Sequence, residues 1–430
     1  MTSMAGLPDS PVGHQVAWHV DCSVRRGEGL TVEEVEAHIS FSPPSSPQDA
    51  IERFRTGESR PPRVVSVDER SPYELSVRFD YGDDKPWDAL FAVEEEPPHR
   101  IVRMFWTRAV AEGTVIRPAL DGDGAALNDL EVRAPMQLGE TTVTYDRGED
   151  FLGFGRLMGD NICFVAERDG QLVGLACGAL HPVRIGGQDH SVMLLHHLRV
   201  PVEHRKGGYF SALNGRVFGA FEGRSEGAYG YTALENAEGM RIGGPGTWSV
   251  GVFRSVLDCG TLAGRPHGRW ATADDADEIV DVLNRAHERE EQYVPHTAAT
   301  LTERMQRAPD LYTWEHVLIG DGAVLGVWPA HLRVTTERDG EVGRAVRGVA
   351  LDHGFVPGAE AELERLLRAW CARLVALGHA ELAFITGEGS HAQELITGLA
   401  RHVDPYSFRM SVQEPEGTRE RGLYVDAIYF

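Results

Sequence analysis

The sequence predicts a mixed α/β protein built of two order-matched halves, each a mixed sheet flanked by helices, behind a small α+β module. Three observations predict it. The chain has 430 residues, more than one hydrophobic core holds, so two or three domains are expected. Its composition breaks twice, near residue 110 and near residues 265–270. The segments 113–265 and 270–430 then run through one order of helix, hairpin, strand, glycine-bearing loop, helix and strand, the mark of a tandem duplication.

Residues 1–15 are polar and contain two prolines, and are expected to be disordered. The module, 16–110, opens with Thr31-Val32-Glu33-Glu34, where Thr31 caps a helix and the carboxylates meet its positive end. A second helix is expected over 48–54. Strand-like runs follow at 63–67, 73–79, 87–93 and 100–106, the last after Pro97-Pro98-His99. Leu75, Val77 and Phe79 alternate with polar residues, as in a half-buried antiparallel strand. The stretch from Pro61-Pro62-Arg63 through Arg100-Ile101-Val102 resembles cystatin-like or NTF2-like modules, which implies a docking or lid role. It holds no nucleophile–base pair.

In the first half a strand at 115–117 and a helix over 123–132 lead to strands 162–167 and 172–180, joined by the tight turn Arg168-Asp169-Gly170-Gln171. A strand over 190–200 enters a glycine-rich loop, then a helix 210–221, a strand 229–234 and a short helix after Asn236. The second half is read as helix 274–287, strands 317–319, 324–332 and 345–351, helix 359–377, strand 380–385, helix 391–399 and closing strands 407–412 and 423–430.

The formal charge of −23 argues against a nucleic-acid or acidic-membrane binder, which needs a basic face. It suits solubility and long-range attraction of cationic substrates. No apolar run of about 18 residues and no signal-peptide core is present, so a bacterial cytoplasm is the expected compartment. Basic residues are almost all Arg, with Lys only at 85 and 206. Five scattered cysteines form no C-x-x-C pair and lie at no zinc-ligand spacing, so neither a metal site nor a disulfide framework is expected.

The chemistry concentrates in Leu198-Arg199-Val200-Pro201-Val202-Glu203-His204-Arg205-Lys206-Gly207-Gly208-Tyr209-Phe210. A strand ends, a basic loop turns, and a helix begins. Amides at a helix start make a site positive before any side chain is counted. Gly207 and Gly208 let a diphosphate approach the main chain, and Arg205 and Lys206 add charge. Neither a P-loop nor G-x-G-x-x-G is present.

Val200-Pro201 followed by Arg205, two residues, Gly208 and a helix resembles the pyrophosphate-binding motif of the GNAT acyltransferases. That motif reads Arg or Gln, two residues, Gly, one residue, then Gly or Ala; here the last place is Phe210. By element order the resemblance covers both halves, giving two tandem GNAT-like domains, but only the first carries the motif. It implies acetyl-CoA or another acyl-CoA as co-substrate, bound by Leu198, Val200, Arg205, Lys206, Gly207, Gly208, Tyr209 and Phe210. Asn236 matches the polar position after the next strand. The acceptor implied is a primary amine of a small metabolite or antibiotic.

Acyl transfer needs a base for the amine proton and donors for the oxyanion. His196 is expected to share a strand face with Leu198 and to face the acyl end, with His197 turned away. Glu235 is the alternative base. The usual helix tyrosine has no counterpart, which leaves Tyr209, Tyr229 or Tyr231 as substitutes. In the second half, Leu351-Asp352-His353-Gly354-Phe355-Val356-Pro357-Gly358-Ala359-Glu360 carries acidic residues and no Lys or Arg. It would repel a diphosphate, so this half reads as degenerate, with Asp352 and His353 available for substrate contact. A non-catalytic CoA-ester or ligand-binding protein stands as the alternative function.

Overall fold

The structure is a computed structural model, and residues 6–41, 46–56, 60–82, 86–205, 207–242, 248–412 and 421–430 are described. The chain divides into two units, Met1–Ile116 with His204–Arg216, and Arg117–Glu203 with Val217–Phe430.

The first unit opens with a helix, Pro11–Val24, that starts inside the stretch expected to be disordered. The cause is local. The Ser10 side chain accepts from the Gly13 N–H and Pro11 occupies the first turn, where its missing donor costs nothing. Val12, Val16 and Val20, four residues apart, are buried against the sheet. Helices Val32–His38, capped by Thr31, and Pro47–Thr56 follow. The strands are β1 (Arg63–Ser71), β2 (Glu74–Asp80), β3 (Trp87–Val93) and β4 (Ile101–Arg108). They form an antiparallel meander in that order. Leu75, Val77 and Phe79 point to its core.

The chain passes from the first unit into the second along β5 (Thr114–Pro118). The second unit adds β6 (Met136–Leu138), β7 (Thr141–Asp146), β8 (Asn161–Arg168), β9 (Gln171–Ile185), β10 (Gln188–Arg199), β11 (Gly227–Ala233) and β12 (Trp248–Asp258). Its later strands are β13 (Arg269–Trp270), β14 (Val317–Gly320), β15 (Ala323–Arg338), β16 (Glu341–Phe355), β17 (Glu381–Gly387) and β18 (His402–Met410). One sheet carries them in the order β13-β14-β15-β16-β17-β12-β18-β11-β10-β9-β8.

That order repeats itself. β8 to β11 and β14 to β17 have the same neighbours and senses: two antiparallel pairs, then one parallel pair. The halves also trade their last strands. β12, from the first half, pairs with β17, and β18, from the second, pairs with β11. β12 and β18 then pair with each other. The hairpin β6–β7 adds a further link, since β7 pairs with β15. The sheet therefore runs unbroken across the boundary read at 265–270.

One expectation fails at the end of the chain. Leu423–Phe430, read as a closing strand, is a buried segment ending in a 3-10 turn, Ala427–Tyr429. Its apolar residues fill the core instead of a ladder: Leu423, Val425, Ala427 and Ile428 are all buried.

Candidate functional site

β10 and β11 pair over only three residues, Val192 with Gly227, Met193 with Ala228 and Leu194 with Tyr229. β10 nevertheless runs on to Arg199 and β11 to Ala233. β9 holds the far edge of β10, and β18 the far edge of β11. A wedge-shaped gap therefore opens between Leu195–Arg199 and Gly230–Ala233. In such a gap a β-edge can bond an extended ligand through its main chain.

A β-bulge shapes the strand at the gap. His196 pairs with Cys177 and Arg199 with Leu175, three residues against two. His197 absorbs the extra residue with φ of 48°. The expected alternation is broken there, because a bulge redirects side chains. His197 does not turn away: its Nδ1 lies 2.6 Å from Nδ1 of His196. The Nε2 of His196 is 3.0 Å from Oδ1 of Asn161 on β8, so both of its ring nitrogens are engaged. Burial, then the Arg147 guanidinium, lowers the His196 pKa to about 3. Arg147 is itself anchored on the buried Glu131 carboxylate at 2.8 Å, and Arg199, at the end of β10, reaches the same carboxylate at 3.5 Å. The end of β10 is thus pinned to helix Gly124–Arg133.

Past the strand, Val202–His204 make a 3-10 turn, and helix Tyr209–Ala220 follows. Gly208 takes φ of +81°, the left-handed region. At Gly207 a Cβ would stand 2.1 Å from the Tyr209 ring and 2.9 Å from the His204 carbonyl, so only glycine fits. Tyr209 is buried, which makes it a packing residue that fixes the turn. Arg205 is exposed, and Lys206 lies outside the described residues. The first N–H groups of such a helix have no partner within it. Leu198, Val200 and Phe210 are half-buried.

Beyond β11, Glu235 is exposed. Asn236 accepts from the Gly239 N–H at 2.9 Å and so starts helix Ala237–Ile242.

A buried chain of polar rings lies at the apex of the gap; it joins Tyr229 and Tyr231, both named from the sequence, to His181 and Tyr429, which were not. The Tyr229 hydroxyl is hydrogen-bonded to Nε2 of His181 on β9. His181 stacks on Tyr429 with ring centroids 3.7 Å apart, and burial lowers its pKa to about 4. Tyr231 follows on the same face of β11, 5.6 Å from the Tyr229 ring. Burial pushes both phenols above their ordinary range, aided at Tyr231 by Asp426. His181 and Tyr229 are 48 residues apart, with no local motif joining them; a lone histidine in the apolar run of β9 was the only signal.

The equivalent gap of the second half also follows three parallel pairs, ending at Val349 with Ala383. It also has a bulge, Ala350–His353 against Leu325–Val327. Side chains close it. His353 meets Phe384 at 4.5 Å and Phe355 meets His391 at 4.7 Å. Asp352, considered for substrate contact, is instead buried between Tyr312 Oη at 2.8 Å and Arg304 at 2.9 Å. Arg304 also binds Asp426 at 2.6 Å, which ties in the C-terminal segment.

Two mixed half-sheets, each opening after a short parallel pair, define a GNAT-like fold. Two solved structures of one yeast enzyme agree. The chain is similar to Saccharomyces cerevisiae N-myristoyltransferase with bound myristoyl-CoA, at TM-score 0.52 and 8% identity over 77% of this chain and 92% of that one. A second structure of that yeast enzyme, with myristoyl-CoA and inhibitors, gives 0.50 and 10% over 77% and 89%. A GCN5-related N-acetyltransferase from Sphaerobacter thermophilus gives 0.44 and 11% over 72% and 99%. No protein-family model and no curated protein matches the chain.

Proposed function

We propose that the chain is an acyl-CoA-dependent N-acyltransferase, with acetyl-CoA as donor and a primary amine of a small metabolite or antibiotic as acceptor. The observation that carries this reading is the early end of the β10–β11 ladder. It leaves main-chain groups of Leu195–Arg199 for a pantetheine arm. By the resemblance of the motif, Arg205, Lys206, Gly207 and Gly208, before helix Tyr209–Ala220, would meet the diphosphate. Asn236 orders the turn after β11.

The amine nitrogen attacks the thioester carbonyl carbon, and the C–S bond breaks as the amide forms. We assign the base to Glu235, directly or through one water, and the departing thiolate takes up the proton. His196 is a poorer base, since a ring with a pKa of about 3 holds a proton weakly; we assign it to positioning the bulge. Tyr231 donates a hydrogen bond to the developing oxyanion, with Tyr229 and His181 behind it. The first unit, which resembles cystatin-like or NTF2-like modules, is assigned to docking.

Free-thiol release from acetyl-CoA, measured against an amine panel, tests the reading. Amine-dependent release is expected. Tight acyl-CoA binding with no release for any amine would favour the non-catalytic ligand-binding alternative.

A further inference from the structure

At the closed gap of the second half, two imidazoles bracket one buried carboxylate and a third lies beside them. His287 ends helix Ala276–Ala286, Glu290 lies one turn on, and His391 follows β17. His287 Nδ1 is 2.7 Å from Glu290 Oε2 and His391 Nδ1 is 2.8 Å from Glu290 Oε1. The His391 main-chain N–H also donates to Oε1, at 2.7 Å. His287 Nε2 is 2.7 Å from the carbonyl oxygen of His353.

A carbonyl only accepts, so His287 Nε2 carries a hydrogen. On a neutral ring, Nδ1 then turns a lone pair toward a carboxylate. Glu290 is itself buried. A lone pair facing a buried carboxylate at 2.7 Å needs a positive charge between them, a proton or a metal ion. One further nitrogen favours the metal: His353 Nδ1 is buried without a hydrogen-bond partner, and His353 is only 5% exposed. The rings of His287 and His391 are 4.6 Å apart, and those of His353 and His391 6.2 Å. Buried polar atoms rarely stay unsatisfied without a function.

We propose that His287, Glu290 and His391 bind one divalent transition-metal ion of the zinc class, with His353 as the neighbouring fourth donor. The donor atoms of His287, Glu290 and His391 already lie within 4.8 Å of one another. Bonds of about 2.0–2.2 Å would set these atoms roughly 3.3 Å apart, a shift of about half an ångström at the Glu290 contacts. Imidazole with one carboxylate suits zinc, whereas calcium and magnesium call for oxygen donors. His391 is half-buried, which gives an ion a way in. The role is structural: Glu291, next in sequence, accepts the Tyr424 N–H at 2.9 Å and pairs with Arg421 at 2.8 Å. A bound ion would therefore fix the turn that holds the C-terminal segment. Cysteine spacing gives no sign of this site, because its donors are scattered over the sequence.

The test uses the full chain, stripped with chelator and titrated with zinc chloride against a chromophoric competitor. About one equivalent per chain is expected, with submicromolar affinity and a rise in Tm. Glu290→Gln and His391→Ala should each weaken binding by roughly 100-fold or more and abolish the rise. Cobalt(II) supplies a readout that needs no variant: a tetrahedral visible spectrum is expected from the wild-type chain. An octahedral, aquo-like cobalt spectrum, or zinc affinity equal in wild type and folded variants, would overturn the proposal and leave a proton between His287 and Glu290.

Discussion

Leu194 and Tyr229 are the last residues to pair between β10 and β11. Two residues farther along the same face of β11, Tyr231 stands where the strands have parted. A pair that ends a ladder thus sets a phenol at the apex of a gap lined by main-chain groups.

If Tyr231 stabilises the oxyanion, Tyr231→Phe should lower kcat by about 10²–10³, the usual loss for one such donor. The acyl-CoA Kd should not change, because the bond forms only in the transition state. Stopped-flow turnover beside equilibrium binding checks both halves of this prediction.

The two candidate bases separate in a pH–rate profile. Glu235→Gln should lower turnover by about 10²–10⁴ and remove the acidic limb. His196→Ala should keep that limb, because a ring with a pKa of about 3 stays neutral across the working range. A limb lost in His196→Ala and kept in Glu235→Gln would return the base to His196.

His181 makes stability depend on pH. Its folded pKa of about 4 lies below the ordinary histidine value of 6.5, so between these values the unfolded chain binds more protons. Stability is then full above about pH 6.5 and falls as pH drops toward 4, by roughly 3 kcal/mol from this group. Urea titrations across that window should show a shallower fall in His181→Gln.

Charge at the two loops should act on different properties. Arg205→Glu should weaken acyl-CoA binding at least tenfold, because like charges would meet at the diphosphate. Asp352→Ala should leave that affinity nearly unchanged, yet cost about 3–5 kcal/mol in urea unfolding, since it breaks a buried pair. Equal losses of affinity at both positions would place the nucleotide in the wrong half.

Much of this fold is legible because periodicity and turn residues are local. The alternation of Leu75, Val77 and Phe79 marks β2, and Arg168-Asp169-Gly170-Gln171 marks the β8–β9 turn. The helix from Pro11 was missed because two prolines and polar neighbours outweighed Ser10 as a cap and the spacing of Val12, Val16 and Val20. Partner choice is less legible. Nothing near Trp248–Asp258 says that it pairs with β17 and β18, since that depends on residues more than a hundred positions away. At the site the glycines and Arg205 stand out by type. The bulge at His197 does not, being one residue of register decided by the neighbouring strand. Leu423–Phe430 has strand-like composition, yet it packs into the core without joining a ladder.

The central claim is that the gap between β10 and β11 receives the acyl-CoA. Backbone hydrogen exchange of the full chain, with and without saturating acetyl-CoA, reads it most directly. Protection should rise at Leu195–Arg199 and stay unchanged at the equivalent stretch of β16, Ala350–Phe355. Protection gained on β16, or none gained on β10 at saturation, would contradict the account.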